Sequence, residues 1–291
     1  MIQSMTGYGK SSTQYGNKKI TVEIKTLNSK SLDLYTRISP DYREKEMEIR
    51  AMIGKAVERG KTDVNIWVEK TGHDAAVPVN QALIEEYYRQ IKDISQRTGI
   101  PEPEDWFSTL LRMPDVLAKV DSDELDEEEW HILRKTITEA VDSLVEFRTQ
   151  EGASLEKMFR QKTDNIERLL KSITPYEESR VDKIRERILS SLENNLSVEY
   201  DKNRLEQELI YYIEKLDISE EKQRLQNHID YFRRTLDGPH GQGKKLNFIS
   251  QEMGREINTT GSKSNQADMQ NIVVQMKDEL EQIKEQVCNV L

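Results

Sequence analysis

The chain has 291 residues, enough for two domains with a core each, and its composition is 33% charged against 35% hydrophobic. That balance favours long, solvent-washed helices over a compact sandwich, and a net charge of −10 excludes a globally basic nucleic-acid binder. A single cysteine, Cys288, excludes an intramolecular disulfide and a cysteine-based zinc cluster, and no run of 18 apolar residues exists, so neither a signal peptide nor a membrane span is expected and a cytoplasmic location follows by default.

In chain order, Met1–Lys10 is short, polar and broken by glycine, as an edge strand would be. Ile20, Val22 and Ile24 alternate with polar residues, the period of a half-buried strand. After a turn at Leu27–Lys30, Leu32, Leu34 and Ile38 suggest a second strand antiparallel to it. Tyr42, Met47, Ile49, Ile53 and Val57 mark one face of a helix ended by Arg59-Gly-Lys61, and Val64, Ile66 and Val68 alternate again as a third strand. A helix follows from about Asn80 to Arg97, then a turn-rich connector over 98–103. The acidic run Asp121–Glu129 reads as the solvated first turn of a helix, where carboxylates favour the positive end of the dipole.

From Trp130 to about Asn195 nearly everything has helical period, divided into two helices by Pro175. Within it Arg148–Gly152 is a polar knot, and a mid-helix glycine costs roughly 1 kcal/mol relative to alanine, so a packing reason is expected there. Beyond Asp201 come four apolar stripes: Leu205, Leu209, Ile213 and Leu216; Leu225, Ile229, Phe232 and Leu236; Leu246, Ile249, Met253 and Ile257; Ile272, Met276, Leu280, Ile283 and Val287. Four such helices pack as a bundle. Asn258–Asn265, rich in hydroxyls and amides around Gly261, is expected to break the third of them and to offer backbone N–H groups and Lys263 to an anion. The fold class is therefore α+β: a small antiparallel-rich N-terminal α/β module within 1–155, a long helical connector over 156–200, and a C-terminal α-helical domain over 201–291.

The charge is uneven. Residues 222–263 hold eight Lys or Arg against four acids, a net charge of +4 in a chain whose remainder carries −14, and such a patch can bind a polyanion. Glu221, Arg224 and His228 stand at i, i+3 and i+7 on one side of a helix. If that side meets Glu252, Arg255 and Glu256, the site would hold a histidine, several carboxylates and two guanidiniums. Carboxylates of this kind bind a divalent cation, arginines grip phosphates, and a histidine titrating near pH 6.5 shuttles protons. No aromatic stacking motif of the RRM kind and no Walker or Rossmann glycine pattern is visible.

The residues that recur through this reading resemble the YicC/YloC family of bacterial proteins. At the front the resemblance rests on Ser4-Met-Thr-Gly-Tyr-Gly9, Glu23-Ile-Lys-Thr-Leu-Asn-Ser-Lys-Ser-Leu-Asp33 and Arg59-Gly-Lys61. At the back it rests on Asp217–Glu221, Arg224–His228, Lys245-Leu-Asn-Phe248, Gln251–Thr259, Gly261-Ser-Lys-Ser264 and Glu285-Gln286. It implies a divalent-metal-dependent endoribonuclease (Mg²⁺ or Mn²⁺) acting on single-stranded or small regulatory RNA, assembled as a hexameric homo-oligomer and working beside other RNA-decay proteins. The site positions expected on this basis are His228, Glu252 and Glu256 for catalysis, Glu221, Glu252 and Glu256 for the metal, and Arg224, Lys244, Lys245, Arg255 and Lys263 for RNA phosphates. The competing expectation is a non-catalytic RNA-binding adaptor that presents RNA to a separate ribonuclease.

Overall fold

The computed structural model describes residues 2–70, 79–117, 125–195 and 202–291. Four strands, β1 (Gly7–Tyr15), β2 (Lys18–Leu27), β3 (Leu32–Ile38) and β4 (Gly60–Lys70), form one sheet in the order β1-β2-β4-β3. The edge strand overlaps only Gly7–Lys10 of the expected Met1–Lys10 stretch and runs on to Tyr15, closed by a two-residue turn at Gly16-Asn17. β3 does run opposite in direction to β2, but the expected antiparallel pairing is not made: β3 hydrogen-bonds to β4, in parallel, with Leu34 opposite Thr62 and Ile38 opposite Ile66. The reason lies in the intervening helix, α1 (Glu46–Val57), because parallel neighbours need a crossover of about a dozen residues, whereas adjacent antiparallel ones need only a turn.

One face of the sheet is buried. Ile20, Val22, Ile24, Val64 and Ile66 pack with Ile49, Ile53 and Val57 of α1 and with Leu133, Ile137, Ala140 and Leu144 of α4 (Glu127–Lys171). In chain order β4 is followed, before α4, by α2 (Gln81–Thr98), capped by Asn80 accepting the Leu83 N–H, and the short α3 (Trp106–Leu111). Of the acidic run, Asp121–Glu124 fall outside the described residues and Glu127–Glu129 form the first turn of α4. Glu129 is not solvated as expected. It is buried, accepting from Lys18 Nζ at 2.9 and 3.0 Å and from the Tyr42 hydroxyl at 2.7 Å, and burial with this carboxylate alongside pushes the Tyr42 phenol far above its usual range.

α4 is 45 residues, roughly 65 Å of continuous helix, and it serves two cores. Its second half contributes Phe159, Ile166 and Leu170 to a core with α7 (Ser219–Leu236), α8 (Gly243–Lys263) and α9 (Ala267–Val287). The expected four-helix bundle is therefore present with a different fourth member. α5 (Thr174–Asn195) and α6 (Lys202–Leu216) leave it, and Ile210, Tyr211, Tyr212 and Ile213 of α6 are exposed. The expected start of this unit at Asp201 lies outside the described residues. No described helix is long and apolar enough to cross a membrane.

The expected break at Asn258–Asn265 is not found: α8 continues to Lys263. Its hydroxyls bond back onto the helix, Thr259 Oγ1 to the Arg255 carbonyl and Thr260 Oγ1 to that of Glu256, while Thr260 and Gly261 are buried toward α9. Those backbone N–H groups are inside the helix and not offered to an anion. The corner that follows is closed by Gln270, whose amide donates to the carbonyls of Gly261 and Ser264.

The polar knot at Arg148–Gly152 has its reason. Arg148 is 1% exposed and donates Nε to Thr26 Oγ1 at 3.3 Å, Nη1 to the Val57 carbonyl at 3.2 Å and Nη2 to the Met5 carbonyl at 3.1 Å. Desolvation lowers its pKa to about 10, which leaves it charged at neutral pH. At Gly152 the N-terminal segment crosses α4 so closely that a Cβ would lie 2.1 Å from the Ile2 carbonyl oxygen. That segment is held on its other side by the tail, with Met5 N–H on the Asn289 carbonyl at 2.8 Å and Leu291 N–H on the Gln3 carbonyl at 3.0 Å.

Replacing Arg148 by Ala removes one of two donors from the Met5 and Val57 carbonyls, which keep Thr26 Oγ1 and the Arg59 N–H, and empties a large buried site; it is expected to cost about 3–5 kcal/mol in urea unfolding, with Lys restoring only part. Gly152→Ala is expected to cost about 1–3 kcal/mol by the same measurement, since the crossing segment must move.

Candidate functional site

α7 and α8 run antiparallel, and two contacts fix the seam between them. At one end Lys263 Nζ donates to Glu221 Oε1 at 2.7 Å and to the Asp217 carbonyl at 2.9 Å. At the other end Lys245 Nζ lies 4.9 Å from the centroid of the Tyr231 ring. Helical periodicity then sets what lies between. Glu221, Arg224, His228 and Tyr231 step along α7 on one side, and Lys245, Glu252, Glu256 and Lys263 step along the facing flank of α8. The α7 start is shaped by Asp217, whose carboxylate accepts the Ser219 N–H at 3.1 Å and its hydroxyl at 2.7 Å and is held below its usual pKa chiefly by those bonds.

The individual residues differ in how free they are. His228 is half-buried and Glu256 is buried, and neither side chain makes a hydrogen bond or ion pair among the described residues. Glu252 is paired with Arg255 at 3.0 Å, and Arg255 is otherwise exposed. Arg224 is exposed and paired with Glu220 on its own helix. Glu221 is buried, with Oε1 on Lys263 and Oε2 without a partner. By this register His228, Glu252 and Glu256 flank one seam, with no hydrogen bond or ion pair joining them among the described residues, and the cations sort into two sets. Lys244 and Lys263 are separated by the length of α8, roughly 28 Å, so one phosphate cannot be gripped by both. Nor do the carboxylates converge: among the described residues no three His, Cys, Asp or Glu are placed to hold a metal ion. Glu221, Glu252 and Glu256 do not form a ligand set within one chain.

Lys244 belongs to a feature that the sequence alone did not reveal. Between the sheet unit and the helical unit lies a cleft of about 450 Å³, lined on the sheet side by Asn28, Ser29, Lys30 and Arg59 and on the helical side by Lys244 and Asn247. Three cations line it and no carboxylate does. The Asn28–Lys30 loop is tied across the cleft by Asn28 Nδ2 donating to Asn289 Oδ1 at 3.3 Å. Arg59 is anchored by Nη2 on the Val290 carbonyl at 3.1 Å, and its buried Nε has no protein acceptor. Glu58, its neighbour, is turned to His240 at 3.3 Å. Arg59 reaches this place because Gly60 takes φ +126°, a conformation side chains avoid, as the chain leaves α1 for β4. In sequence Leu27–Lys30 reads as a turn, Arg59-Gly-Lys61 as a helix end and Leu246 as part of a helical stripe. The missed signal was that Asn28–Lys30, Arg59-Gly60 and Gly243-Lys244 each set a lysine or arginine within two residues of an asparagine or glycine.

Lys263→Met is expected to destabilise the protein by about 3–5 kcal/mol in urea unfolding, because it strands the buried Glu221 carboxylate, and the double variant with Glu221→Leu should recover most of that loss.

Comparison with known proteins covers both ends. Residues 2–157 match the family described as endoribonuclease YicC-like, N-terminal region, and residues 173–291 match endoribonuclease YicC-like, C-terminal. The chain is similar to a probable endoribonuclease YicC of Clostridioides difficile (strain 630), 32% identical over 295 residues that span all of both chains. It is likewise similar to a probable endoribonuclease YicC of Haemophilus influenzae, 28% identical, again over the whole of both. With the sheet unit, the helical unit and the motifs that meet in the cleft all matched along its length, the chain belongs to the YicC-like endoribonuclease family.

Proposed function

We propose that the protein is a divalent-metal-dependent endoribonuclease that cleaves phosphodiester bonds of single-stranded or small regulatory RNA, working as a homo-oligomeric, hexameric ring. The observation that carries the RNA reading is the cleft, where an acidic protein gathers Lys30, Arg59 and Lys244 with no carboxylate in the lining. Such a place attracts a polyanion electrostatically, and a guanidinium with an unused N–H suits a phosphate. The α7–α8 seam flanked by His228, Glu252 and Glu256 starts on the same helix. Lys244 and Glu252 are eight residues apart on α8, about 12 Å along its axis.

In this reading Arg59, Lys30 and Lys244 hold the backbone, Lys245 and Arg255 extend the positive track, and Arg224 flanks it. His228 moves a proton to or from the reacting oxygens, with Glu256 or Glu252 as its acid–base partner. Lys263 and Glu221 form the end of the seam. The carboxylates among the described residues do not fit a metal, so no step is routed through one; Mg²⁺ or Mn²⁺ dependence is part of the proposal through family likeness. That lack of a ligand set favours a second reading, the RNA-binding adaptor that passes RNA to a separate ribonuclease.

A short defined RNA incubated with purified protein separates the two. Arg59→Ala is expected to weaken binding about tenfold or more and to reduce the slope of log K against log salt by about one. His228→Ala and Glu256→Ala are expected to lower the cleavage rate about 100-fold or more with binding retained, and EDTA to abolish cleavage. Cleavage unchanged in both variants would hand the function to the adaptor.

A further inference from the structure

Among the described residues the outer face of the sheet carries no helix of the core beneath it. Both helices that pack on the sheet, α1 and α4, join the core on its other side. Strand register arranges the outward residues in rows: Tyr8, Lys25, Asp63 and Tyr35; Lys10, Glu23, Asn65 and Arg37; then Ser12, Thr21 and Trp67. Three aromatic rings from three strands therefore share one solvent-facing surface, with Tyr8 39% and Tyr35 54% exposed. Each ring has a cation over it. Lys25 Nζ is 5.7 Å from the Tyr8 centroid, Lys10 Nζ 5.8 Å from that of Trp67, and the Arg37 guanidinium 5.4 Å from that of Tyr35. A depression of about 440 Å³ opens beside Trp67, bordered by Glu23, Asn65 and Arg37.

We propose that this face is a platform for unpaired RNA nucleotides, with bases stacked on Trp67, Tyr8 and Tyr35 and phosphates taken by Lys10, Lys25 and Arg37. The inference rests on the RNA reading above and supplies it with a reason for single-strand preference, since bases must be splayed from a helix to lie on rings set against a sheet. At the depression Glu23 Oε1 already accepts from the Tyr8 hydroxyl at 3.0 Å and from Lys25 at 3.1 Å, which fixes those two groups beside the rings and leaves the Asn65 amide and the second Glu23 oxygen to face a base edge. Tyr8 and Tyr35 share a row three strand spacings wide, about 14 Å, so they serve different nucleotides. The same face suits a second protein copy poorly. The middle of the rows is Lys25, Asp63, Glu23, Asn65 and Thr21, without an aliphatic side chain, and protein interface cores are depleted of charge.

The test measures anisotropy of a labelled oligouridine of about 12 nucleotides, and of a labelled RNA duplex, on the full-length protein. Trp67→Leu and Tyr35→Ser are each expected to weaken oligouridine binding about tenfold, with duplex binding unchanged, while Trp67→Phe stays within about threefold of wild type. Phe107→Ala, an exposed ring on α3, is expected to change nothing. Melting temperature and sedimentation accompany every variant, and Tyr35→Ser, at an exposed site, keeps the test alive should Trp67→Leu unfold. Wild-type affinity in both Trp67→Leu and Tyr35→Ser, or a changed oligomeric state with RNA affinity intact, overturns the platform. If Arg59→Ala abolishes binding while those two do not, the platform alone falls. A wild-type protein that binds no RNA removes the ribonuclease reading as well.

Discussion

The molecule depends on one buried guanidinium. Among the described residues Arg148 has no carboxylate partner; it is held by two backbone carbonyls and a hydroxyl drawn from the N-terminal segment, the end of β2 and the end of α1. A desolvated charge is costly unless its donors are met, so these three chain segments are fixed to one point of α4 together. They are also the segments that lead into Asn28–Lys30 and Arg59. The cleft is thus placed by an interaction that lies behind it. The same cation adds to the positive potential around Arg59, one residue from Gly60, over which Arg148 Nη2 passes.

α4 carries this constraint through both units. Its first half completes the core beneath the sheet and its second half is the fourth helix of the C-terminal bundle. A continuous helix with apolar residues on both sections transmits position between the cores as a stiff rod. The clasp of Gln3–Met5 with Asn289–Leu291 closes the structure on the side of the cleft. A cleft built between two cores, spanned by a helix and pinned by strand-like pairing, is a place where a ligand can be held without either core rearranging.

The distribution of charge follows the same division. An acidic body pairs part of its surface carboxylates with lysine and arginine, as between α4 and its neighbours α7 and α9, where Arg233 joins Asp164 and Glu167 and Lys162 joins Glu279. Such pairs contribute little stability individually when exposed. Their consequence is contrast: the cleft gathers cations with no carboxylate in its lining, and on the sheet cations lie over rings, with Lys25 also paired to Glu23 at 3.1 Å.

Much of the secondary structure was legible in the residues themselves. Alternation at Ile20–Ile24 and Val64–Val68 and the stripes of α1, α7, α8 and α9 depend on local period, which burial on one face imposes. Family likeness could be read from the same letters. What failed were inferences about partners in space. The neighbour of β3, the fourth bundle helix and the continuation of α8 through Thr259–Lys263 were each decided by which apolar surface was available to pack against, and no local pattern encodes that competition. Of the site, the seam residues Glu221, Arg224, His228, Glu252 and Glu256 were visible as helical faces, because one helix turn relates them. Lys30, Arg59 and Lys244, and the rings of Tyr8, Tyr35 and Trp67, lie far apart in sequence and have no shared period. Only sheet register and the packing of two cores on one helix bring them together.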